Sequence, residues 1–80
     1  MAEITDDVRE NVQKIVYDVL EVGPEDLTET TLFVDEIGAD SLAIIEILTT
    51  IEDSLGIAID QAEAKRMVNL ATIFEVLAEA

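Results

Sequence analysis

The chain has 80 residues, which bounds it to one domain, and half of them are apolar, enough for one modest core. Nineteen acids stand against four bases, a net charge of −15, so nucleic acid and anionic lipid, which bind basic surfaces, are repelled. Cysteine and histidine are both missing, which removes disulfides, thiolate metal sites and the commonest general base.

The first apolar pattern is helical. Val8, Val12, Ile15, Val16, Val19 and Leu20 recur at i, i+4, i+7 spacing. Thr5 is the expected N-cap, with Asp6 and Asp7 favourable in the first turn. Gly23-Pro24 stops this helix near Glu21 or Val22. From Gly23 to Asp40 the period is lost, and only short apolar clusters remain: Leu27, then Leu32-Phe33-Val34, then Ile37. A loop this long in a small domain is usually functional or packed by its own side chains, and those apolar residues are expected to pin it to the core. A single helical turn is expected at Phe33 to Asp35.

Asp40 is the expected N-cap of a second helix that runs through Leu55 and ends at Gly56. Asp60 opens a short third helix, with Glu63 at the capping-box position. Asn69 caps a last helix carrying Leu70, Ile73, Phe74 and Leu77. The reading is all-α, three longer helices and one short, over a single domain of residues 1–80. No apolar run approaches the roughly 18 residues of a membrane span, and the acidic N-terminus is unlike a signal or transit peptide. A cytoplasmic protein is expected.

The second helix is unusual around its circumference. Projected at about 100° per residue, Ile44, Ile47, Leu48, Ile51 and Leu55 form a core stripe. Leu42 falls about 160° from its centre and Ile45 about 100°. Both are expected to be exposed among carboxylates, as an apolar docking patch with an acidic rim. Single exposed apolar residues are also ordinary on any surface.

Ser41 stands beside this patch. A catalytic serine needs a base within reach, and without histidine the usual triad is missing, so Ser41 is not expected to act as a nucleophile in its own right. It can be an acceptor, because a phosphate on its hydroxyl would meet the positive end of the helix. Asp35 to Glu46 has the length of a calcium loop, but Ile37 and Ala39 occupy ligand positions and the glycine is misplaced.

The string Phe33-Val34-Asp35-Glu36-Ile37-Gly38-Ala39-Asp40-Ser41-Leu42 resembles the attachment motif of acyl carrier proteins. Ile-Glu-Ile and Ile-Glu-Asp downstream strengthen the likeness, which extends over nearly the whole chain. The resemblance implies a four-helix bundle with a long loop between the first two helices. It implies that Ser41, flanked by Asp40 and Leu42, accepts 4′-phosphopantetheine from coenzyme A through a separate magnesium-dependent phosphopantetheinyl transferase. Leu42, Ile45, Glu46, Glu52 and Asp53 match positions that contact partner enzymes. Ile59, Ala64 and Met67 match positions near a bound acyl chain. The implied protein is a monomeric carrier without catalysis or a metal site of its own. Its implied partners are the transferase, an acyl-loading ligase or transferase, and ketosynthase and tailoring enzymes with basic docking patches.

Three features depart from fatty-acid carriers: Ala43 replaces an acid, Asp60 replaces a proline, and the third helix, acid-rich in those carriers, here carries the basic pair Lys65-Arg66. These point toward polyketide or other specialised biosynthesis. The alternatives are a primary fatty-acid carrier and, in a different class, an unmodified acidic helical adaptor.

Overall fold

Side-chain caps fix where each long helix begins. The computed structural model describes residues 4–79; residues 1–3 and 80, which belong to the expected 1–80 domain, lie outside it. Helix α1 spans Asp6–Leu20, and the Thr5 hydroxyl accepts the Val8 N–H at 3.3 Å. Helix α2 spans Ser41–Leu55, and the Asp40 carboxylate accepts the Ala43 N–H at 2.9 Å. Helix α3 spans Leu70–Glu79, and the Asn69 side-chain carbonyl accepts the Thr72 N–H at 2.9 Å. Each bond satisfies an N–H that the first helical turn leaves without a partner.

The ends differ. Helix α2 stops at Gly56, whose φ of 66° suits a residue without Cβ. Helix α1 stops at Glu21, which adopts the same left-handed conformation (φ 56°) with a full side chain. The N–H groups of Glu21 and Val22 both donate to the Tyr17 carbonyl and close that end.

The long connector between α1 and α2 is not featureless. Pro24–Asp26 form a short 3-10 turn that the lost periodicity does not reveal. Leu27 and Phe33 are buried, Phe33 completely, and act as plugs in the core. The turn expected at Phe33 to Asp35 is longer, reaching residue 37. Glu36 and Ile37 N–H groups donate to the Leu32 carbonyl, and Gly38 N–H donates to that of Val34. Gly38 has φ +83°, a conformation that side chains with a Cβ rarely take.

The short third helix is a 3-10 helix, Gln61–Arg66, rather than an α-helix. It is a six-residue bridge between two buried side chains, Ile59 and Met67, and 3-10 geometry suits such short pieces. Asp60 caps it by accepting the Ala62 N–H at 2.9 Å. The expected capping box does not close. The Glu63 carboxylate instead accepts from Arg66 Nη1 at 2.7 Å, and Nη1 and Nη2 of the same guanidinium fork onto Glu79 at the end of α3.

The core lies among Val12 and Val16 of α1, Ile47, Leu48 and Ile51 of α2, and Leu70, Ile73 and Leu77 of α3. Helix α2 packs on α1 and on the 3-10 helix. Leu55, expected in the core stripe, is half-buried at its edge. Among the described residues no polar or charged side chain is buried, so no buried charge needs a compensating partner. The radius of gyration is 11.3 Å, against about 11.6 Å expected for a compact chain of this length. The architecture is an all-α bundle whose two irregular connectors meet near the start of α2.

Candidate attachment site and its cavity

Ser41 is the first residue of α2 and is exposed. With Ala43 N–H taken by the Asp40 carboxylate and Ile44 N–H by the Asp40 carbonyl, the N–H groups of Ser41 and Leu42 are the ones helix geometry leaves pointing outward. They sit at the positive end of the helix. The turn that delivers Ser41 is fixed from behind, where Ala39 N–H donates to the Phe33 carbonyl at 2.9 Å and Phe33 N–H donates to the Val68 carbonyl at 2.9 Å.

Ser41 and Asp40 open on a cavity of about 500 Å³. The connector contributes Val34 and Ala39 to its walls, and α2 contributes Ile44 and Ile45. The opposite wall comes from the 3-10 helix and the residues after it: Gln61, Ala64, Lys65, Met67 and Val68. The interior is mostly aliphatic, with Asp40, Ser41, Gln61 and Lys65 as its polar members. Its volume falls in the range of about 300–1,000 Å³ common for small-molecule sites.

The residues singled out in the sequence separate into groups. Ser41, Asp40, Ala64 and Met67 come together at this cavity. Ile59 does not join them; it is buried beside a smaller cavity of about 210 Å³ with Glu63, Val76 and Glu79. Leu42 is 76% exposed, as the helical projection expects. Ile45 is not: it is half-buried and forms part of the cavity wall. The projection measured its angle from the core stripe but had no knowledge of the 3-10 helix that covers that side. Glu46 and Asp53 are exposed. Glu52 is half-buried, and its carboxylate accepts the Ile59 N–H at 2.9 Å, tying α2 to the segment before the 3-10 helix.

Sequence reasoning missed Val34, Val68, Gln61 and Lys65. Val34 and Val68 are 55% and 42% exposed at the cavity edge. The available signal was alternation: in an irregular segment whose Phe33 points inward, the next side chain points out.

Known proteins match this chain over most of its length. Residues 10–77 match the family described as "Phosphopantetheine attachment site". The chain is similar to polyketide-8 synthase acyl carrier protein 1 of Streptomyces avermitilis, 44% identical over 90% of this chain and 86% of that protein. It is similar to the acyl carrier protein of Nitratidesulfovibrio vulgaris, 35% identical over 79% of this chain and 83% of that one. In fold it resembles a putative acyl carrier protein from Mycobacterium tuberculosis, with a TM-score of 0.77 and 24% identity over 90% of this chain and 96% of the other.

The residues present suit the prosthetic group of that family: an accessible hydroxyl, two outward N–H groups for a phosphate, and an aliphatic cavity alongside. The chain belongs to the acyl carrier proteins, the family that bears a covalently attached 4′-phosphopantetheine.

Proposed function

We propose that this chain, as one carrier domain over residues 1–80, holds acyl intermediates on a phosphopantetheine arm joined to the Ser41 hydroxyl. The observation that carries the reading is the exposed first-turn position of Ser41 at the mouth of an aliphatic cavity of about 500 Å³. When bound, the group supplies a terminal thiol on which acyl groups ride as thioesters. Asp40 sets the start of α2 and so fixes where the Ser41 oxygen stands. The Ser41 and Leu42 N–H groups face a phosphate attached there. Ile44, Ile45, Ala64 and Met67 offer an apolar acyl chain a surface away from water. Ile59 acts behind the wall, by anchoring the segment that carries it.

The chain has no catalysis of its own in this reading, since nothing in its composition supplies a histidine base for Ser41. Leu42, Glu46 and Asp53 present the docking face, with Ile45 at its inner edge and Glu52 holding its far end. The partners are a phosphopantetheinyl transferase, an acyl-loading enzyme, and ketosynthase and tailoring enzymes with basic patches, which a carrier of charge −15 would approach quickly. The setting is the cytoplasm and the working form a monomer. Among the described residues no helix is long and apolar enough to cross a membrane. A specialised, polyketide-type pathway is favoured by the 44% identity to a protein named for a polyketide synthase, and by Ala43, Asp60 and Lys65-Arg66.

The test is intact mass after incubation with a phosphopantetheinyl transferase, coenzyme A and magnesium. One arm should add to the wild type and none to Ser41→Ala, with the helical spectrum unchanged because alanine is well tolerated in a helix. An arm on the Ser41→Ala variant would move the attachment to Ser54 or a threonine and overturn the assignment.

A further inference from the structure

The bases of this chain are few, and their positions are informative. Arg9 is taken: it pairs with Glu29 at 2.9 Å and lies over the Phe74 ring at 4.6 Å. Arg66 is held between Glu63 and Glu79. Lys14 stands on α1 and does not line the Ser41 cavity. Among the described residues Lys65 is the one basic side chain that lines it, and no ion pair engages it there.

A phosphodiester on Ser41 would add negative charge beside Asp40, in a stretch with no base from Asp18 to Glu63. Two outward N–H groups at the helix start are partial compensation only. The cavity of about 500 Å³ is, taken as a sphere, about 10 Å across, roughly one Debye length at 0.1 M salt. Charges fixed on opposite sides would be largely screened, so a counter-charge must be able to reach across. Lysine suits the task, being a point charge on a flexible apolar stem that can lie along an aliphatic wall while its ammonium stays in water. Arg66, one residue on, is not free to do this.

We propose that Lys65 is the counter-charge for an anionic oxygen group carried by the arm on Ser41, either the phosphodiester at its root or a carboxylate on its cargo. Lys65 is thus a positioning residue. It draws the arm toward the 3-10 side of the cavity, so that the acyl group is led inward between Ile45 and Met67. The proposal rests on Ser41 being the attachment point.

The experiment compares four forms of the protein: apo, holo, holo loaded with acetyl, and holo loaded with malonyl. Intact mass of each form comes first. A missing arm at Ser41 would overturn the attachment assignment, whereas a loaded protein tests Lys65. The readouts are the side-chain nitrogen and Cε resonances of Lys65 across a pH titration, and the phosphorus resonance of the arm. An upward shift of the Lys65 titration between apo and holo, shrinking at high salt, identifies the phosphodiester. A shift confined to the malonyl form identifies the cargo carboxylate and still supports the pairing. For a phosphodiester pair, Lys65→Gln should move the phosphorus resonance and Lys65→Arg should restore it. Lys65 resonances and titration that coincide in all four correctly loaded forms would overturn the proposal.

Discussion

The two irregular connectors face each other across the Ser41 cavity, but they are held in place by different forces. The first, between α1 and α2, is fastened by apolar plugs and backbone bonds. Leu27 and Phe33 sit in the core, Phe33 N–H donates to the Val68 carbonyl, and Ala71 N–H donates to the Glu29 carbonyl. The second also has buried anchors, Ile59 and Met67, but it otherwise hangs on carboxylates that are exposed or half-buried. Glu52 receives Ile59 N–H, Asp60 caps the 3-10 helix, and Glu63 and Glu79 grip Arg66. Buried aliphatic contacts change little with pH or salt, whereas exposed ion pairs are weak and respond to both. The cavity thus has one firm wall and one yielding wall, and the yielding wall is the one that carries Lys65.

The strongest way to break this contrast is to pull the plug from the firm wall. Phe33→Ala should lower stability by roughly 3–5 kcal/mol. A denaturant melt measures it, and a loss below about 1 kcal/mol, the size of an ordinary point substitution, would mean that the backbone bonds alone hold the connector. Gly38→Ala should cost less, about 1 kcal/mol, because the expense is conformational. A Cβ at Gly38 would meet no atom within 4 Å, so only its φ of +83° resists. An unchanged melting temperature would show that the turn before Ser41 adapts.

The smallest effect on global stability belongs to the yielding wall. Glu79→Gln removes the fork on Arg66 while leaving the buried anchors intact. We expect little change in the melting temperature but faster amide exchange over residues 61–66. Equal exchange in variant and wild type would place the control of that wall elsewhere. Acid should act the same way. The hydrogen bonds and charge of Arg66 hold the Glu79 carboxyl below its ordinary value of 4.5, and the guanidinium stays charged throughout. The contribution of the pair is therefore complete above about pH 4.5 and disappears as pH falls through the lower folded-state value of Glu79.

How far the sequence reaches follows the range of the forces involved. Thr5, Asp40 and Asn69 cap within three residues, so their roles are written locally and the structure has them as expected. The core stripe of α2 is equally local, apart from Leu55 at its frayed end. Ile45, Glu52 and Glu63 are different. Ile45 is covered by a wall formed some 16 residues later, beginning at Gln61. Glu52 reaches Ile59 across the chain reversal at Gly56. Glu63 forgoes the nearby cap because Arg66 is already fixed by Glu79, 13 residues away in sequence. Ser41 itself emerged from a resemblance; its neighbours alone mark a helix start, and the cavity beside it belongs to no single stretch of sequence.

The end of α1 bears on how much sequence change the fold can absorb. Glu21 takes a left-handed conformation that glycine adopts freely, at a cost of roughly 1 kcal/mol or more for a residue with a Cβ. Its carboxylate also stands at the negative end of the helix, where the last turn carries no base. Both disadvantages coincide at a residue that lines neither cavity. The chain is therefore below the greatest stability its own backbone would allow. A domain of 80 residues has only about 4–12 kcal/mol to lose, at roughly 0.05–0.15 kcal/mol per residue. Replacement of Glu21 by glycine would release a reserve against which new side chains around Ser41 could be tried, without altering any residue that lines the cavity.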